Sequence, residues 1–115
     1  MFAQYPQQAL DLLRDLVRIN TTNPPGNETA VASYLAQRLG AAGIATEVVE
    51  PQPGRGSIIA RLKGSGEGKP LLLMGHIDVV AADPADWEED PFAAVVRDGF
   101  LWGRGSTDNK HLIAA

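Results

Sequence analysis

The chain has 115 residues, enough for one modest domain and too few for two, since single domains cluster at roughly 100–150 residues. Hydrophobic residues at 44%, charged residues at 21%, and 12 Gly and 8 Pro scattered without a repeat exclude disorder, collagen and coiled coil. A formal charge of -4 and a pI near 5.0 give no electrostatic footprint for nucleic acid, and the absence of cysteine excludes disulfide scaffolds, zinc ribbons and thiol nucleophiles.

The start, Met1 to Pro6, carries no basic stretch followed by an apolar core, and no apolar run approaches the roughly 20 residues that span a bilayer. A cytoplasmic protein without a membrane partner is expected, and the sequons at Asn20 and Asn27 carry no weight. From Pro6 to Ile19, Ala9, Leu10, Leu12, Leu13, Leu16 and Val17 recur at helical spacing, with charged residues opposite. The run Asn20-Thr21-Thr22-Asn23-Pro24-Pro25-Gly26 breaks that helix into a rigid loop, because proline lacks the amide donor and restricts its predecessor. Asn27 is a good N-cap for a second helix presenting Val31, Tyr34, Leu35 and Leu39, with its end at Gly40 or Gly43.

Two β-branched runs follow, Ile44–Glu50 and Ser57–Leu62, and both read as strands. After the turn Gly64–Gly68, the run Pro70–Gly75 is apolar on both faces, the pattern of a central strand covered by helices on both sides. His76–Asp90 holds six carboxylates and no Lys or Arg and reads as a long acidic loop. Phe92–Trp102 reads as a hairpin around Asp98-Gly99, a pair suited to a tight primed turn. Lys110–Ala115 reads as the first turns of a helix with no stop signal.

Three places carry possible chemistry. His76 and Asp78, two apart at the carboxyl end of the apolar run, project to one face in extended conformation, at the sheet edge where open α/β folds bind ligands. An imidazole with a carboxylate beside it suits a divalent metal, and a surface histidine beside a solvated acid is the plainer alternative. Asp108, in the glycine-flanked turn Gly103–Lys110, either reaches another strand end or caps the final helix, and spacing alone favours the cap. Gly64–Lys69 fails as a phosphate loop, because Lys63 and Pro70 stand where glycine and a hydroxyl residue are required. Asp83, Asp86, Glu88, Glu89 and Asp90 read as a solvated face pinned by Trp87 and Phe92, with a metal site or recruitment of basic ligands as the rivals. His111 faces either the cleft or solvent.

Together, Asn23–Glu28, Gly75-His76-Ile77-Asp78-Val79-Val80, Trp87–Phe92 and Asp98–Lys110 resemble, in order and approximate spacing, the M20 metallopeptidases. That family includes acetylornithine deacetylase, succinyl-diaminopimelate desuccinylase, aminoacylase, carnosinase-type dipeptidases and carboxypeptidases. The resemblance implies an α/β fold, a three-layer α/β/α sandwich of the zinc-peptidase type, of which residues 1–115 form the amino-terminal portion. It implies two divalent metal ions, zinc with cobalt or manganese as alternatives, and hydrolysis of an amide or peptide bond in a small N-acyl amino acid or peptide. His76 matches the first metal ligand, Asp78 the carboxylate that orients that imidazole, and Asp108 the aspartate bridging both metals. A cis peptide after Asp108 is also implied. Ala81 and His111 depart from the family's usual proline and glycine.

The family's paired glutamates, later acidic ligand, final histidine and dimerising lid domain have no match up to Ala115. The expectations are therefore a half-site, an isolated segment that is inactive and binds metal weakly, exposed apolar surface, and a homodimer only for a full-length protein. A non-catalytic truncated remnant is the rival reading.

Overall fold

The computed structural model describes residues 5–115, so the start at residues 1–4 lies outside the described part. The chain is a mixed α/β protein that divides into two compact units, residues 27–74 and the segments on either side of them.

In the outer unit, helix α1 (Tyr5–Arg18) follows the expected span, with Pro6 in its first turn where a missing amide costs nothing. Leu16 and Val17 of its apolar face are fully buried and form the core with Val79 and Ala94. The loop after α1 is tied to the chain beyond His76 by a parallel bridge between Thr22 and Val79. Two backbone bonds frame it, Asn23 N to Val79 O at 2.9 Å and Val79 N to Thr21 O at 3.1 Å. Buried Thr21 adds a hydroxyl bond to Ile77 O at 2.6 Å. The Asn23-Pro24 and Pro24-Pro25 peptides are both cis.

The acidic stretch is mostly irregular, with a short 3-10 turn at Pro84–Asp86 whose first amide is capped by Asp83. The expected hairpin forms from β3 (Val95–Arg97) and β4 (Phe100–Trp102), paired antiparallel. Asp98 and Gly99 both have positive φ, 54° and 80°, as a two-residue primed turn requires. Helix α3 (Lys110–Ala114) follows the loop after β4 and packs on α1.

In the inner unit, α2 (Glu28–Ala41) buries Val31, Ala32 and Leu35. Asn27 occupies the N-cap position without a side-chain capping bond, and the helix ends at Gly43 rather than Gly40. Gly43 takes φ +77°, the left-handed conformation that lets following amides reach the last carbonyls. Strands β1 (Thr46–Val49) and β2 (Ser57–Ala60) pair antiparallel, Thr46 with Ala60 through Val49 with Ser57.

One expected element is absent. Pro70–Gly75 is irregular backbone, and Leu71, Leu72, Leu73 and Met74 are 76–83% exposed. A central strand needs a hydrogen-bonded neighbour about 4.8 Å away on each side, but β1 and β2 pair only with each other and β3 only with β4. Apolar character alone cannot hold a strand whose ladder has no partner. The expected exposed apolar surface is thus present, whereas the regular structure of the described residues consists of two small antiparallel sheets, three α-helices and the short 3-10 turn. Among the described residues no helix is long and apolar enough to cross a membrane.

Candidate metal centre

The outer unit brings together the three residues singled out by sequence. His76 follows the exposed apolar run directly, and the pairing of Thr21–Asn23 with Ile77–Val79 holds the chain just after it. His76 Nδ1 lies 3.1 Å from Asp78 Oδ1, and His76 Nε2 lies 2.9 Å from Asp108 Oδ1. The Asp78 carboxylate is fixed from its other oxygen by Asn23, whose Nδ2 donates at 3.1 Å. Asn23 was legible only as part of a loop, and the structure makes it a partner of the site.

Asp108 does not cap the last helix. Asn109 holds the N-cap position, again without a side-chain cap bond, and the Asp108 side chain is 85% exposed toward His76. The Asp108-Asn109 peptide is cis, as the resemblance implied.

The imidazole is enclosed by carboxylate oxygens at both nitrogens. A neutral ring carries one N–H and one lone pair, so it can donate to only one of them. The other nitrogen then presents its lone pair to an anionic oxygen, which is favourable only if a proton or a metal cation occupies the gap. Desolvation pulls the His76 pKa down, but the bonds from Asp108 and Asp78 outweigh it and hold it above the ordinary imidazole value. Asp78 is held below the usual carboxylate range, chiefly by the Asn23 amide; desolvation opposes this, and His76 adds further, individually smaller pulls downward.

These donors suit a divalent cation in kind, one imidazole and one carboxylate with a second carboxylate behind the ring. In number they fall short, because among the described residues no three His, Cys, Asp or Glu side chains stand together as a metal-holding group. They open onto a cavity of about 320 Å³, whose walls include Trp87, Trp102 and Arg104.

Lys110 was not anticipated. It is fully buried, and its Nζ donates 2.8 Å bonds to the carbonyls of Leu16 and Ile19 at the end of α1. A cation at a helix C-terminus satisfies orphaned carbonyls and the negative end of the dipole. The clamp ties α1 to the segment that carries Asp108. Burial pushes its pKa down to about 8.

The acidic loop is largely spent on its own structure. Glu88 and Glu89 each bond Arg97 at 2.8 Å, Asp90 accepts from Phe92 N at 2.8 Å, and Arg97 lies 4.6 Å over the Trp102 ring. His111 is half-buried and outside the lining of the His76 cavity.

Residues 72–115 match the family model described as Peptidase family M20/M25/M40. The chain is 40% identical over 108 residues to the succinyl-diaminopimelate desuccinylase of Bordetella pertussis, covering 92% of this chain and 27% of the relative. It is 41% identical over 108 residues to the enzyme of that name from Xanthomonas campestris pv. campestris, with coverage of 92% and 27%. To that of Beijerinckia indica subsp. indica it is 42% identical over 115 residues, with coverage of 95% and 29%. The chain thus spans little more than a quarter of the length of these relatives. The matched M20 segment contains His76, Asp78 and Asp108.

Proposed function

We propose that the chain is the amino-terminal portion of the catalytic domain of an M20-type metal-dependent amidohydrolase, completed as a three-layer α/β/α sandwich by residues outside this sequence. His76 and Asp108 are its metal ligands, and Asp78 orients the imidazole. The observation that carries this reading is the His76 ring held between Asp78 at Nδ1 and Asp108 at Nε2. Two divalent ions, zinc with cobalt or manganese as alternatives, supply when bound the polarisation of an amide carbonyl and an acidified water. This chain's residues present donors to them. Asp78 accepts a hydrogen bond from Nδ1–H and so fixes the tautomer that leaves the Nε2 lone pair for a metal, Asn23 holds Asp78, and Asp108 supplies the negative charge. The proton acceptor and the remaining ligands come from elsewhere in the full protein. Its substrate is a small N-acyl amino acid or peptide, an inference supported by the names of the relatives.

Zinc titration of the chain by calorimetry tests this. Weak binding is expected, lost in His76→Ala and in Asp108→Asn and kept in Glu88→Gln. Equal binding by wild type and His76→Ala would overturn the ligand assignment, and tight stoichiometric binding would overturn the incompleteness of the site.

A further inference from the structure

Arg104 is the described arginine that lines the His76 cavity. Arg97 is answered by Glu88 and Glu89 and Arg18 by Asp15, whereas Arg14, with one 3.4 Å contact to the Ala94 carbonyl, stands outside the cavity lining. Arg104 has no carboxylate partner among the described residues. Its hydrogen bonding is a single long contact, Nη2 to Ala81 O at 3.4 Å, and its Nε is buried without an acceptor. The guanidinium lies 5.3 Å from the Trp87 ring, and both residues line the same cavity as His76, Asp108 and Trp102.

A guanidinium carries five N–H donors in a planar fork that matches a carboxylate. Here most of that capacity is unspent, beside the indoles of Trp87 and Trp102, which line the same cavity. The opposite charges in the cavity, Asp78 and Asp108, would hold an anionic group away from His76. The field therefore sets a direction: anion toward Arg104, neutral carbonyl toward the His76–Asp108 pair.

We propose that Arg104 is the anion anchor of this cavity, receiving a carboxylate of the substrate and thereby orienting it toward His76 and Asp108. The word substrate rests on the hydrolase reading above; the carboxylate site does not. The chain has two tryptophans, and both border the cavity, so intrinsic fluorescence reports occupancy directly. The chain, freed of metal on a chelating resin, is titrated with succinate and, as the uncharged counterpart, succinamide. Saturable quenching by succinate and none by succinamide is expected, with affinity reduced at least tenfold in Arg104→Gln. Arg104→Lys, which keeps a cation near Trp87 but loses the fork, falls between and covers the case in which the Gln variant fails to fold. The titration is run on metal-free chain, so the anchor stands or falls separately from the zinc experiment, and Glu67→Gln, in the exposed turn outside the cavity lining, keeps wild-type succinate affinity. Undiminished succinate binding in both Arg104 variants, equal quenching by succinamide, or no saturable quenching in the wild type would overturn the proposal.

Discussion

His76 has two carboxylates to satisfy and, when neutral, one proton to do it with. The metal-free chain answers by holding the second proton more firmly, which is why its pKa lies above the ordinary imidazole value. Because the folded value is raised, the His76 contacts stabilise the fold fully below the unfolded imidazole pKa, and that contribution is lost as pH rises through the folded value. NMR titration of the ring protons in metal-free protein should give a midpoint above that of a free histidine. Asp108→Asn should move it down, since a carboxylate that favoured the charged ring is gone; an unchanged midpoint would contradict the Nε2–Asp108 contact. Asp78 behaves in the opposite sense. Its lowered pKa contributes stability above the unfolded carboxylate value, lost as pH falls through the folded one.

At the scale of elements, α1 ends where Lys110 accepts responsibility for its carbonyls. Replacing that side chain with an apolar one leaves the Leu16 and Ile19 oxygens without their 2.8 Å donors. Lys110→Met should therefore lower stability by ~1–3 kcal/mol, the cost of buried acceptors left unsatisfied, as read from urea unfolding followed by tryptophan fluorescence. Burial lowers the Lys110 pKa from 10.5 to about 8, so the unfolded chain binds the extra proton between those values. Wild-type stability should rise over that interval relative to Lys110→Met, and the gap between the two proteins should widen. A constant gap would mean that the ammonium is not desolvated. Elements built on neighbours in sequence were legible: α1, α2 and the Asp98-Gly99 hairpin follow their periodicity and turn chemistry. The run Pro70–Gly75 was not, because apolar composition reports what a strand would bury and not whether a ladder partner exists.

For the whole molecule, the weak point lies between β2 and His76. Every residue from Ser57 to His76 except Ile58 is exposed, and after Ala60 none of this stretch is in regular structure. Limited trypsin digestion should cut first after Arg61 and Lys63, since proteases need extended, accessible backbone; Lys69 resists because Pro70 follows it. Mass spectrometry of the earliest fragments checks this, and initial cleavage after Arg14 within α1 would contradict it. The same stretch exposes Leu62 and the four consecutive apolar residues Leu71–Met74, apolar surface of the kind that drives association.

Torsion preferences, short-range periodicity and motif spacing are enough to place the helices, the tight hairpin, the acidic stretch and the candidates His76, Asp78 and Asp108. Long-range packing is what turns Asp108 to His76 instead of capping α3, sets Asn23 against Asp78, and closes α1 with Lys110. Those contacts join residues separated by 32, 55 and 94 positions. Local spacing carries no signal for such pairings, because chain closure and burial, rather than neighbouring residues, bring the groups together.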